Sequence, residues 1–333
     1  MLLSIIIILA IAFILYGLLG GADYGAGIVE IFAGKKGEHT ISKAIAPVWE
    51  ANHVWLILAI VILFTGFPQV FSTISTVLHI PLMIVLLGIV LRGSSFTFRH
   101  YDVGQDDSRK YYTLFFRISS FITPVFLGIT LGAMILGEID LSTSGTFYEQ
   151  YVRPWLNVFC FTMGLFCAAL FAYIAAVFMI GEVPSVGERK RYIQLARLFL
   201  FTTTILGILV FVAAELHGHA LFREFFASPF SVIALGMVLL LIPVLLRLFQ
   251  QPNILYLRTV AGLQVLLILL GWYAIQFPIL VYEKRGNHLT FYNTQAPAAT
   301  QYQMLIALFV GLLLVVPAFY YLFKVFKGAR QEQ

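Results

Sequence analysis

A chain of 333 residues that is 60% hydrophobic and only 11% charged, with a mean hydropathy of +0.93, lies outside the range of soluble globular domains, which carry about 25% charged residues. Composition therefore makes it an all-α polytopic membrane protein. Its net charge of +5 points to no nucleic acid, because the basic residues fall between apolar runs, where topology and anionic lipid account for them. Runs of about 20 apolar residues, long enough to cross a bilayer as a helix, occur nine times, near 2–22, 46–66, 69–92, 112–137, 154–181, 194–214, 229–249, 258–282 and 304–326.

The first run has no basic residue before it and ends in Gly20-Gly21-Ala22-Asp23-Tyr24-Gly25 rather than a small-residue cleavage site, so it reads as a retained helix. Gly17, Gly21 and Gly25 repeat every four residues, a stripe that lets a neighbouring helix approach. Asp23 and Glu30, seven apart, share one face. An acid within a membrane is a functional candidate, Asp23 more so than the shallower Glu30.

The second run opens with Pro47, suited to a first helical turn. Glu50 follows in that turn, where the helix dipole favours a carboxylate. His53, three residues on, shares its face, and a carboxylate beside an imidazole can pass a proton; Asn52 adds a further polar group. Trp49 and Trp55 read as interfacial aromatics or as partner or structural contacts.

Loops 34–45, 92–117, 182–197, 247–258 and the C-terminal tail hold seventeen Lys and Arg residues, against four on the other side. The bias sets the N-terminus outside and the C-terminus in the cytoplasm. His79, in the third run, is expected near mid-bilayer, about 10 Å deeper than His53, so the two cannot ligate one iron. The mixed-charge loop 92–117, with Asp102, Asp106 and Asp107, reads as solvated. Arg92 and Arg99 at its membrane edge are the exceptions, placed to anchor a helix end or to meet a partner's acid.

Helices four to eight read as scaffold, with Pro124, Pro243 and Pro278 inside spans. Cys160 and Cys167 are two turns apart on one helix, too far to bridge. Gly37-Glu38 and Gly187-Glu188 open two basic loops and hint at a duplication. Glu215, His217, His219 and Glu224 form a loose polar cluster, read as surface rather than metal site. The 283–303 segment is an outer loop without a motif.

Four stretches carry a resemblance. Gly20-Gly21-Ala22-Asp23-Tyr24-Gly25-Ala26-Gly27, Pro47-Val48-Trp49-Glu50-Ala51-Asn52-His53-Val54-Trp55, Gly66-Phe67-Pro68 and Leu91-Arg92-Gly93-Ser94-Ser95-Phe96-Thr97-Phe98-Arg99 resemble, in order, the signatures of subunit II of the cytochrome bd quinol oxidases. The resemblance implies two four-helix bundles, 1–137 and 138–282, followed over 283–333 by an outer loop, a peripheral ninth helix and a basic tail. It also implies a haem-free, multi-pass subunit of the bacterial plasma membrane, with no metal or catalytic residue of its own. Its partner would be subunit I, which bears two b-type haems and one d-type haem, with a small single-helix accessory subunit; quinol and oxygen are the substrates of the complex, and a bound quinone is possible here. By resemblance Glu50 matches the acid of a proton channel, with Asn52, His53 and Asp23 as further members. The family often has Asp followed by Gly-Asn-Gln where this chain has Glu50-Ala51-Asn52-His53, and an acid where it has Thr97, which is given no proton-handling role. From the residues alone, a proton-coupled secondary transporter is the alternative, although the second half lacks matching polar breaks.

Overall fold

The computed structural model describes residues 1–46, 49–101, 106–142, 145–183 and 185–328; Pro47 and Asp102 lie outside them. Among the described residues nine helices are long and apolar enough to cross a membrane.

The first span is α1 (Leu2–Leu15), a π-helical turn (Tyr16–Gly20) and α2 (Gly21–Ile45). α2 breaks at Gly34, whose φ of 70° lies in the left-handed region that favours glycine. Arg191 Nη2 donates to the Phe32 carbonyl beside the break at 2.6 Å, a partner the helix itself no longer supplies. The second span is α3 (Trp49–Gly66).

The third apolar run divides, unlike the expected 69–92 helix. Pro68 starts a short helix, α4 (Pro68–Val77), which buries Val70, Ile74 and Val77 and carries Gln69, Ser72, Thr73, Ser75 and Thr76 elsewhere. The span proper is α5 (His79–Tyr101). His79 therefore stands at the start of its span, not at mid-bilayer: its Nδ1 lies 2.8 Å from the Thr76 carbonyl and its ring packs on Tyr151. Summed hydropathy could not see this break because α4 is amphipathic and short.

The fourth span is α6 (Asp106–Leu136), so most of the expected 92–117 loop is helix. Beyond it come α7 (Phe147–Tyr151), the fifth span α8 (Val158–Ile180), the sixth α9 (Val186–Leu216), then α10 (Leu221–Ala227). The seventh and eighth spans are α11 (Pro229–Leu248) and α12 (Ile254–Gln276). The apolar run expected to reach 282 leaves the helix early and enters strand β1 (Ile279–Val281), antiparallel to β2 (Leu289–Thr290). Pro278 thus follows the eighth span rather than lying inside it. The ninth span lies in α13 (Ala298–Gly328).

The first four spans pack on one another, as do the fifth to eighth, and α2 and α6 meet α8 along the seam between the groups. α8 is the most buried span, and close approach explains it. A Cβ on Gly25 would collide with the Phe171 backbone, and Gly128 and Gly164 bring α6 and α8 backbone to backbone. Cys160 and Cys167 are free on α8. Tyr173 donates to Gln264 Oε1 at 2.9 Å, and Gln264 Nε2 to the Val238 carbonyl at 3.2 Å, which ties spans five, eight and seven. α13 leans on α3 and α1 and is otherwise largely exposed.

At the face opposite the basic helix ends, the 277–297 segment is ordered. Glu283 is buried and accepts the backbone N–H of Arg285 and Asn287 at 2.8 and 3.0 Å, while Ala296 N–H donates to the last carbonyl of α3, on Gly66, at 2.8 Å. On the same face Thr146 and Glu149 form a reciprocal capping box. The Thr146 backbone N–H, and then its hydroxyl, hold the Glu149 carboxyl below the usual range.

The charge bias leads us to propose that the basic face is cytoplasmic. A Lys190→Cys chain in intact cells should then react with an impermeant maleimide only after permeabilisation, and a Tyr292→Cys chain without it. The reverse pattern would overturn the orientation.

Candidate functional site

α2 and α5 carry matched charges. Asp23 and Glu30 are seven apart, as are Arg92 and Arg99, so each pair keeps one face, and packing joins them rung by rung. On the deeper rung Arg92 Nη1 donates to Asp23 Oδ2 at 2.8 Å, Nη2 to the Asp23 carbonyl at 3.0 Å and Nε to Ser120 Oγ at 3.2 Å. On the rung nearer the basic face Arg99 Nη1 donates to both Glu30 oxygens at 2.9 and 3.1 Å, and Arg117 Nε to Glu30 Oε1 at 3.0 Å. Arg117 and Arg109 then approach Glu38 at 3.6 Å each.

The rungs are dry. Asp23 is 3% exposed, Arg92 1%, Arg99 5% and Glu30 fully buried. The Phe116 ring lies between the guanidinium groups, 5.1 Å from Arg92 and 4.5 Å from Arg99, and the Tyr24 ring is 4.8 Å from Arg92. Contacts to aromatic faces compensate part of the desolvation of a buried cation. The acids that Arg92 and Arg99 meet are therefore within this chain.

On α3, Glu50 is exposed in the first turn and has no ion pair among the described residues. His53, one turn deeper, approaches the ladder: its Nε2 is 3.9 Å from Asp23 Oδ2 and its ring meets Tyr24 edge to face at 5.8 Å. Trp49 packs on Phe96 at 5.5 Å. Asn52 and Trp55, both buried, turn instead toward the first and ninth spans. There they line a cavity of about 250 Å³ with Leu19, Ala51, Val316 and Phe319. The structure so unites Asp23, His53 and Arg92, sets Glu50 above them at the surface, and sends Asn52 and Trp55 to another side of α3.

The sequence reading gave Glu38, Arg117, Tyr16 and Tyr24 no role in the site. The repeated seven-residue spacing on two helices was the signal for the ladder; the tyrosines, inside apolar runs, gave none. Among the described residues no three His, Cys, Asp or Glu side chains gather as a metal site, and His219 lies 3.8 Å from Glu224.

Residues 1–326 match the sequence model of the family described as Cytochrome bd terminal oxidase subunit II. The chain belongs to that family. Cytochrome bd ubiquinol oxidase subunit 2 of Bacillus subtilis (strain 168) is 30% identical over 167 residues, 48% of this chain and 47% of that protein. Cytochrome bd-I ubiquinol oxidase subunit 2 of Escherichia coli (strain K12) is 25% identical over 177 residues, 50% of this chain and 45% of that one. These alignments thus span about half the length of the curated relatives. The fold matches a chain of the bd oxidase from Geobacillus thermodenitrificans with a TM-score of 0.79, covering 98% of each at 20% identity. At that identity the likeness shows the fold alone.

Proposed function

We propose that this chain is the haem-free subunit II of a cytochrome bd-type quinol:oxygen oxidoreductase in a bacterial plasma membrane. In this reading it braces subunit I and conducts protons from the cytoplasmic face for reduction of oxygen to water. The haems, two b-type and one d-type, belong to subunit I and carry the electrons and oxygen; a small single-helix subunit completes the complex.

One observation carries the reading: Glu50, His53 and Asp23 follow one another in depth, from an exposed carboxylate through a half-buried imidazole to a buried anion. Glu50 collects a proton from the cytoplasm. His53, about 4.5 Å deeper along α3, takes it, its Nε2 lying 3.9 Å from the Asp23 carboxylate. Asp23 itself is the fixed anion of the path, since Arg92 holds its other interactions. Acids clamped by arginine suit this role better than the cycling a secondary transporter requires.

A cavity of about 490 Å³ lies between spans five to eight, lined by Phe166, Leu170, Phe211, Leu239 and Trp272 with Tyr173 and Gln264. Such a lining accepts a quinone tail or a lipid chain.

Purification through this chain should bring down a complex whose optical spectrum contains a d-type haem; a chromophore-free preparation would count against the reading. Within that complex, Glu50→Leu should slow oxygen reduction about tenfold or more with haem content and assembly intact. An unaltered rate would reject Glu50 as the mouth of the path.

A further inference from the structure

Four buried side-chain atoms around the inner end of this path have no hydrogen-bond partner among the described residues: Tyr16 Oη, Tyr24 Oη, Asp23 Oδ1 and His53 Nδ1. One such atom is unusual, because buried polar groups are nearly always paired. Here all four adjoin. The His53 ring meets Tyr24 and approaches Asp23, the two tyrosine hydroxyls interact with each other and with Asp23, and the Cys167 thiol lies beside Tyr16. By geometry none of the four atoms is hydrogen-bonded to another, although the Tyr16 and Tyr24 hydroxyls are close enough to interact, and such a group suits a bound water with two to four polar partners.

We propose that these four groups line an internal water site, and that it carries the proton path on from His53 toward the middle of the bilayer, with the Tyr16 hydroxyl as its inner end. Local backbone geometry supports this. Tyr16 opens the π-helical turn Tyr16–Gly20, an irregularity found most often at functional sites, and its ring lies against Gly20, bringing its hydroxyl toward Tyr24 and Asp23. The charged and titratable groups facing the site are Asp23 and Tyr24 from α2, Arg92 from α5, Cys167 from α8 and, on His53's own helix, Glu50. Because Asp23 Oδ2 is engaged by Arg92 at 2.8 Å, the proton moves through the neutral groups. His53 releases it from Nδ1 to water, and each hydroxyl beyond accepts one proton while giving up its own, so no charge is left behind.

The inference rests on the proposed proton path, and two measurements separate them. A cryo-EM map of the purified complex, at a resolution where waters elsewhere are visible, should contain water density within hydrogen-bond distance of at least two of the four atoms. Finding them bonded to side chains of the partner subunit, or no density between them, overturns the site. Tyr16→Phe, which preserves the ring's packing, should slow oxygen reduction by up to about tenfold, the effect of one lost hydrogen-bonded link, at unchanged haem content. Combined with Glu50→Leu it should slow turnover no further than Glu50→Leu alone. A wild-type rate in Tyr16→Phe beside a slow Glu50→Leu enzyme rejects the water site and leaves the path standing; wild-type rates in both reject the two together. Should Tyr16→Phe fail to assemble, the map of the unaltered complex decides.

Discussion

Arg92→Leu should remove most of the folded chain from the membrane. The substitution leaves the Asp23 carboxylate, 3% exposed, without its guanidinium partner and with His53 Nε2 at 3.9 Å, and also takes away the bonds to the Asp23 carbonyl and Ser120. Breaking a buried ion pair from one side costs about 3–5 kcal/mol, a large part of the roughly 5–15 kcal/mol that holds a protein folded. Quantifying the chain in membranes after mild heating, beside the wild type, reads this directly. Asp23→Asn with Arg92→Gln should recover much of the loss, because no uncompensated charge remains. Arg99→Leu should be milder, since Arg117 still holds Glu30 at 3.0 Å. If Arg92→Leu were as stable as wild type, the buried ion pair would not be what holds α5 to α2.

Gly25→Val should be as damaging for a different reason. Any Cβ there meets the Phe171 carbonyl, which belongs to the backbone of the most buried span and cannot swing away as a side-chain end could. Relief requires α2 and α8 to separate, beyond the ~1–3 kcal/mol typical of overpacking. Gly236→Ala and Gly262→Ala, where an added Cβ meets nothing within 4 Å, should be neutral or slightly stabilising, because alanine favours a helix by about 1 kcal/mol over glycine. Thermal unfolding of the three variants in one detergent compares them; a Gly25→Val transition equal to that of Gly236→Ala would contradict the close packing.

The nine spans were legible because a bilayer imposes a length that an apolar run either meets or fails. Where spans end was less so. Helices continue past the apolar stretch on charged turns, as α6 does from Asp106, and an apolar run can change into a strand, as after Gln276. Asp23, Glu30, Arg92 and Arg99 each stood out as costly groups near hydrocarbon, and the seven-residue spacing of Asp23 and Glu30 placed two acids on one face; the equal spacing of Arg92 and Arg99 was there to be used but was not. Their pairing needed the fold, because registering α2 against α5 depends on glycine contacts with α8 and α6. Tyr16 and Tyr24 were invisible for the opposite reason: a tyrosine among leucines and glycines reads as packing until its hydroxyl is found without a partner.

The central claim is that protons reach the oxygen-reducing partner through Glu50 and His53. Proton uptake from the medium during a single turnover of the purified complex tests it most directly, with a pH dye and the haem spectra followed together in wild type and Glu50→Leu. The account predicts that electron transfer to the haems begins normally in the variant while proton uptake lags behind it. Uptake that keeps its wild-type rate without the carboxylate would contradict it.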